Sequence, residues 1–177
     1  MDFTDLSLLD DGVVERRFTL DGIPGLLWTP PASADAPVPL ILLGHPGGLE
    51  GMQPRLVQRA QSAARSGFAS ATLELPGSGD RPRIPDFEAA RADLGRAMAQ
   101  GDPLDAVVDR LVLPLVERAA PEWQSLLDDV LALPGIRGPV GISGGFISIG
   151  IRLALVEPRI VAASLYAGSF VPASIVE

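Results

Sequence analysis

The sequence predicts an α/β domain: a mostly parallel sheet with helices on both faces. Three observations carry this. The apolar run Val38–Leu43 is short, as in a strand covered on both faces, and it, Phe68–Leu75 and Gly138–Ile142 read as strands that each close in a glycine-rich turn. Segments between them repeat apolar residues at helical spacing. A further apolar run at Val161–Ala167 reads as another buried strand, and joining it in parallel to the strand before it needs a crossover, usually a helix. With 177 residues, the chain is long enough for one domain with a real core and too short for two large ones. Residues 1–177 are therefore read as a single domain.

The elements follow in order. Val13–Leu20 and Gly25–Thr29 flank the turn pair Asp21-Gly22, which predicts an N-terminal β-hairpin. Pro30–Pro37 is rich in proline and alanine and reads as a surface loop. The strand Val38–Leu43 runs into Gly44-His45-Pro46-Gly47-Gly48. A helix over Pro54–Ser66 has one apolar stripe, Leu56, Val57, Ala60, Ala63 and Ala64, and stops at Gly67. The strand Phe68–Leu75 leads to Pro76-Gly77-Ser78-Gly79-Asp80. Residues 81–120 are a helical excursion. Asp86 is positioned to cap a helix with the stripe Phe87, Ala90, Leu94 and Met98, ending at Gly101. Asp102-Pro103 starts another, with Leu104, Val107, Val108, Leu111 and Leu115 on one face and a kink expected at Pro114. A separate helix is expected over Pro121–Leu133. The strand Gly138–Ile142 then reaches a second glycine-rich turn. Residues 147–153 alternate locally like a strand, yet the crossover requirement makes them a helix.

Composition excludes several classes of function. The 14 basic and 22 acidic residues give a net charge of −8, which disfavours nucleic acid or an anionic membrane as partner. All basic residues are arginine, so neither a Walker-type phosphate loop nor a Schiff-base lysine exists. With no cysteine, disulfides, thiolate nucleophiles and cysteine metal sites are excluded. Met1–Asp11 is acidic and lacks the basic start of a signal peptide, and no apolar run approaches the ~20 residues of a membrane span. A cytoplasmic location is expected. His45 is the only histidine, and no metal site or cofactor is supported.

The chemistry-bearing stretch is Gly141-Ile142-Ser143-Gly144-Gly145. It fits G-x-S-x-G, a sharp turn that lifts a serine hydroxyl above the end of a buried strand. Small residues are needed two before and two after the serine, because a Cβ at Gly141 or Gly145 is expected to collide with the neighbouring strand or the next helical turn. Phe146-Ile147-Ser148-Ile149-Gly150 could form a second such turn, but Phe146 breaks the small-residue rule. Glu74 is assigned to the strand-end pattern, Asp80 with Arg81 and Arg83 to a solvated loop, and Trp123 to the core.

Three strands ending in turns, Gly44–Gly48, Glu74–Asp80 and Gly141–Gly145, occur in an order that resembles the α/β-hydrolase superfamily, most of all bacterial dienelactone-hydrolase-like serine esterases. The resemblance covers essentially the whole chain. It implies that Ser143 is the nucleophile and that the Gly144 N–H is one oxyanion donor. The second donor comes from the His45 loop. Pro46 has no N–H, so Gly47, ahead of Gly48, is assigned the role. Each donor is worth about 3 kcal/mol of barrier. His45 and Gly48 shape this loop. Residues 81–120 fall where such enzymes carry a cap, and Ser78 stands where the family commonly has histidine.

The resemblance also implies an acid and then a histidine on later strands. Residue 177 precedes both, so the chain is expected to lack the last strands of the fold, judged against about 250 residues for full α/β enzymes. Two expectations follow. One is a serine hydrolase of carboxylic esters, lactones or thioesters that takes its acid and histidine from beyond residue 177. The alternative is a non-catalytic α/β-hydrolase-like fragment or binding and assembly protein. In either case, a C-terminal segment or partner chain is expected to cover the sheet edge.

Overall fold

Three antiparallel strands open the chain. β1 (Asp2–Leu8) pairs with β2 (Val14–Leu20), and β2 with β3 (Ile23–Thr29). The β2–β3 turn is the predicted Asp21-Gly22 pair. Both residues have left-handed backbone, φ 50° and 79°, matching the turn to the twist of its strands. β1 has no counterpart among the predicted strands. All its side chains are exposed, so no buried face imposes an alternation that a sequence could display. The computed structural model describes residues 1–31, 36–166 and 170–175. Residues 32–35 of the predicted loop Pro30–Pro37, and Ala167 of the last predicted strand, lie outside them.

β4 (Val38–Gly44), β5 (Ala69–Leu73), β6 (Ile136–Gly144) and β7 (Ile160–Ser164) complete a seven-stranded sheet in the order β1-β2-β3-β5-β4-β6-β7. The last four strands in that order are parallel, and β3 meets β5 antiparallel. Helices α1 (Leu49–Arg65), α2 (Phe87–Gln100), α3 (Asp105–Leu131) and α4 (Ile147–Val156) flank it. β4 explains why its run is apolar throughout. Leu40 and Leu42 pack in the large core with Leu126 of α3 and Leu153 of α4, while Leu43 packs on the other face with Leu56 and Ala60 of α1.

Several predicted boundaries move. α1 starts at Leu49 and carries Pro54 inside it. The two helices expected on either side of residue 120 are one helix, α3, which contains Pro114 and Pro121. Its buried positions Val112, Leu115, Val116, Ala119, Ala120, Trp123, Leu126, Leu127 and Val130 form one unbroken stripe at spacings of one, three and four. Burying that stripe outweighs the backbone hydrogen bonds that two prolines remove. Asp86 precedes α2 as expected, but it sits at φ 64° and makes no side-chain cap, because side-chain capping uses extended backbone at that position. Residues 147–153 are helical, as the crossover required, but the strand expected to be buried at Val161–Ala167 is exposed from Val161 to Ser164, because β7 is the edge of the sheet.

Arg159, beside the start of β7, ties this edge to α3. It donates to Glu157 from Nε at 2.7 Å and to Asp128 from Nη1 at 2.6 Å. The guanidinium holds the buried Glu157 carboxyl down at about 2. A carboxylate depressed in the folded state stabilises fully above its unfolded value, and that stability is lost as pH falls from about 4.5 to about 2. Glu157→Gln should therefore lower the melting temperature at pH 7 and flatten the pH dependence of thermal unfolding across that window. An unchanged slope would remove Glu157 from this account.

Candidate active site

The chain passes from β4 to β5 on one side and returns to β6 on the other. Crossovers that leave in opposite directions open a crevice at the carboxyl ends of the strands, where open α/β sheets bind ligands. The glycine-rich turns after β4 and β6 meet at this point. Gly44 pairs with Gly144. A Cβ placed on Gly145 would lie 2.4 Å from Gly44 Cα and 2.8 Å from His45 N. One placed on Gly44 would lie 2.7 Å from the Gly144 oxygen. Here backbone touches backbone. Gly141 differs: its nearest neighbour would be the Ala162 oxygen at 3.7 Å, an ordinary contact. The small-residue requirement thus falls on Gly44 and Gly145, and the collision expected at Gly141 is absent because β6 and β7 lie a normal sheet spacing apart.

The turn after β6 takes its left-handed backbone at Gly144 (φ 69°) and Gly145 (φ 90°). Among the described residues, Asp21 and Asp86 are the non-glycines with positive φ, so Ser143 is not in that conformation. It is the last residue but one of β6, paired with Leu43 on one side and Ser164 on the other. Leu43 faces α1, and register partners in a sheet share a face, so Ser143 faces α1 as well. There it lines an open pocket of about 340 Å³ with Arg59 and Tyr166. Arg59 donates from Nη1 to the Gly44 carbonyl at 2.7 Å and from Nη2 to the Ser143 carbonyl at 2.5 Å. It therefore pins the ends of β4 and β6 together. Its guanidinium also lies 5.6 Å from the Tyr166 ring centroid. A Cβ on Gly144 would meet Arg59 Nη2 at 2.7 Å and Tyr166 Oη at 2.9 Å.

His45 is buried, and its ring bridges its own loop and the end of β5. Nδ1 lies 2.5 Å from the Gly47 carbonyl and Nε2 2.8 Å from the Leu73 carbonyl. Burial lowers its pKa from the ordinary value, against the opposing pull of the two carbonyls and Glu74. Each nitrogen faces a backbone carbonyl, and the one that carries the proton donates to it, so the ring is a brace for the loop. Gly48 caps α1, and the carboxylate of Glu74 accepts from the Leu49 N–H at 3.0 Å, a negative charge at a helix N-terminus. Gly47 lines a second cavity, of about 300 Å³, with Leu75, Ser78, Phe87, Leu115 and Phe146. Helices α2 and α3 thus wall the space in front of the His45 loop. The Gly47 N–H has no acceptor among the described residues.

The structure therefore brings Gly144 to the base of the His45 loop, but Ser143 and Gly47 line different pockets. Ser148 is buried in α4, where its hydroxyl donates to the Phe170 carbonyl at 2.6 Å. Arg59 and Tyr166 were missed in the sequence. The only signal for Arg59 was a basic residue beside the apolar stripe of α1. Tyr166 carried none.

No protein-family model matches the chain, and no curated protein does. Solved structures do. A cold-adapted esterase from an Arctic intertidal metagenomic library superposes with a TM-score of 0.63 at 24% identity, covering 93% of this chain and 65% of that one. A 2,6-dihydroxy-pseudo-oxynicotine hydrolase superposes with a TM-score of 0.51 at 21% identity, covering 86% and 36%. The chain thus has the α/β-hydrolase fold, and it spans just under two thirds of the length of the Arctic esterase. No helix among the described residues is long and apolar enough to cross a membrane.

The close approach at the switch point makes a direct prediction. Gly145→Ala should destabilise the chain by about 3 kcal/mol, because the methyl group meets backbone and the left-handed φ is strained. Gly141→Ala should stay within about 1 kcal/mol of the parent. Urea unfolding followed by circular dichroism separates the two, and equal midpoints would contradict the contact.

Proposed function

We propose that this chain carries the nucleophile and oxyanion part of a hydrolase for carboxylic esters, lactones or thioesters. The observation that supports it best is the meeting of the His45 loop with the Gly144–Gly145 turn at the switch point, where Gly145 lies against Gly44 and His45 backbone. In this reading Ser143 gives its proton to the base and attacks the carbonyl carbon; the acyl C–O or C–S bond breaks, the alcohol or thiol leaves with that proton, and water then hydrolyses the acyl-serine. The N–H groups of Gly144 and Gly47 receive the negative charge that develops on the carbonyl oxygen. The substrate occupies the cavity between the His45 loop and helices α2 and α3, under residues 81–120 acting as a cap. That the Arctic neighbour is an esterase is in keeping with this reading.

Two requirements follow. Ser143 must take over the left-handed backbone that Gly144 holds, so that its hydroxyl leaves the α1 side of the sheet. A base must also come from outside these residues, because both His45 nitrogens face backbone carbonyls. A segment beyond residue 177 or a partner chain at the β7 edge supplies that base and its acid.

One observation favours a second reading, a non-catalytic binding or assembly protein on the hydrolase fold. The left-handed apex is a glycine, and the space over it is occupied by Arg59 and Tyr166. A fluorophosphonate probe separates the readings. Labelling that disappears in Ser143→Ala supports the hydrolase. No labelling of the protein with its base supplied, or labelling that survives Ser143→Ala, leaves the binding protein.

A further inference from the structure

The pocket beside α1 has an unusual polar lining. Arg59, Ser62, Ser66, Ser143 and Tyr166 contribute to it, and no carboxylate does. Every one of these side chains can donate a hydrogen bond. Arg59 is partly buried and makes no ion pair among the described residues, whereas Arg81 pairs with Glu122 and Arg159 with Glu157. Two of its five N–H groups are spent on the Gly44 and Ser143 carbonyls. Carbonyl dipoles and the Tyr166 ring offset part of the cost of desolvating this charge but do not neutralise it. Burial accordingly lowers the guanidinium's pKa from its ordinary value. Among the described residues of a chain with 22 acidic residues and 14 arginines, Arg59 shares a partly buried position without a carboxylate only with Arg16, whose guanidinium donates to the Thr29 hydroxyl.

We propose that this pocket is a carboxylate-binding site anchored by Arg59. The remaining guanidinium N–H groups take the carboxylate oxygens, and the Tyr166, Ser62 and Ser66 hydroxyls donate from the rim. Ile41, Leu43, Ala63 and Phe68 form the rest of the wall, so the ligand joins its charge to an apolar group. One cation in an apolar wall matches a monoanion, whereas a phosphate dianion would leave one charge unpaired. The site goes beyond the hydrolase reading and needs no chemistry at Ser143. Two sources carry this group: a free organic carboxylate, or an Asp or Glu side chain of a second copy. The second would lie along the adjoining apolar groove of about 470 Å³, which shares Ile41, Phe68 and Ser143 and includes the exposed Val161 of β7.

Hexanoate and hexanamide, equal in shape and different in charge, are titrated into the full chain and followed by backbone amide NMR. Hexanoate should bind at least tenfold tighter, with shifts centred on Gly44, Arg59 and Ser143, and Arg59→Gln should abolish the difference. Equal binding of the two, shifts confined to the cavity of Gly47 and Phe87, or an undiminished preference in folded Arg59→Gln overturns the proposal. If Arg59→Gln does not fold, the acid–amide comparison and the map of shifts in the parent still decide. Sedimentation separates the sources. Self-association that hexanoate disperses assigns the carboxylate to a second copy, while a monomer at all concentrations that binds hexanoate assigns it to a free ligand.

Discussion

The contact between the Gly44 and Gly145 backbones is the constraint on which the rest of this structure depends. β4 and β6 are the central parallel pair, and their registers match up to Gly44 and Gly144. Beyond that pair the two chains must diverge into different helices while still touching. No side chain fits between them, since a Cβ on Gly145 would lie 2.4 Å from Gly44 Cα. The approach places the start of the His45 loop against the turn that follows β6. Arg59 then secures both strand ends from the α1 side, and His45 secures the loop to β5. Three chain segments distant in sequence are thereby fixed around one crevice.

Much of this was legible in the sequence because burial writes its own pattern. β4 is covered on both faces, so its run is apolar without alternation, and the close approach at the ends of β4 and β6 requires glycine. The hairpin was legible because Asp21-Gly22 supplies the backbone its turn needs. What was not legible had no buried face or no local cause. β1 exposes every side chain. The continuity of α3 through Pro114 and Pro121 comes from a stripe packed against the sheet and α4, a tertiary effect that overrides two local breakers. The pairing of Arg59 with the carbonyls of Gly44 and Ser143 joins residues 15 and 84 positions apart, which no local pattern records.

The site itself was legible in kind more than in detail. Gly141, Ser143 and Gly145 match a spacing, yet a spacing does not say which residue of the turn takes the left-handed backbone. The structure gives it to Gly144 and Gly145. The reason is energetic: left-handed backbone costs a non-glycine residue about 1–2 kcal/mol and glycine almost nothing. With two glycines directly after Ser143, the unstrained setting is the one in which the serine stays in the strand.

The same reasoning measures what a catalytic setting would demand. Moving Ser143 into the apex adds the left-handed cost and gives up the charged hydrogen bond from Arg59 to its carbonyl, together roughly 3–5 kcal/mol. Functional turns hold a left-handed residue at such a cost when their surroundings enforce it. Arg59 controls a large part of it, because its grip on the Ser143 carbonyl is one of the bonds that must be released. In the proposed site a carboxylate takes the N–H groups that the two carbonyls leave free, so the grip persists when the pocket is filled. The proposed carboxylate pocket and the turn thus share this one side chain, and any rearrangement of the turn must first release it.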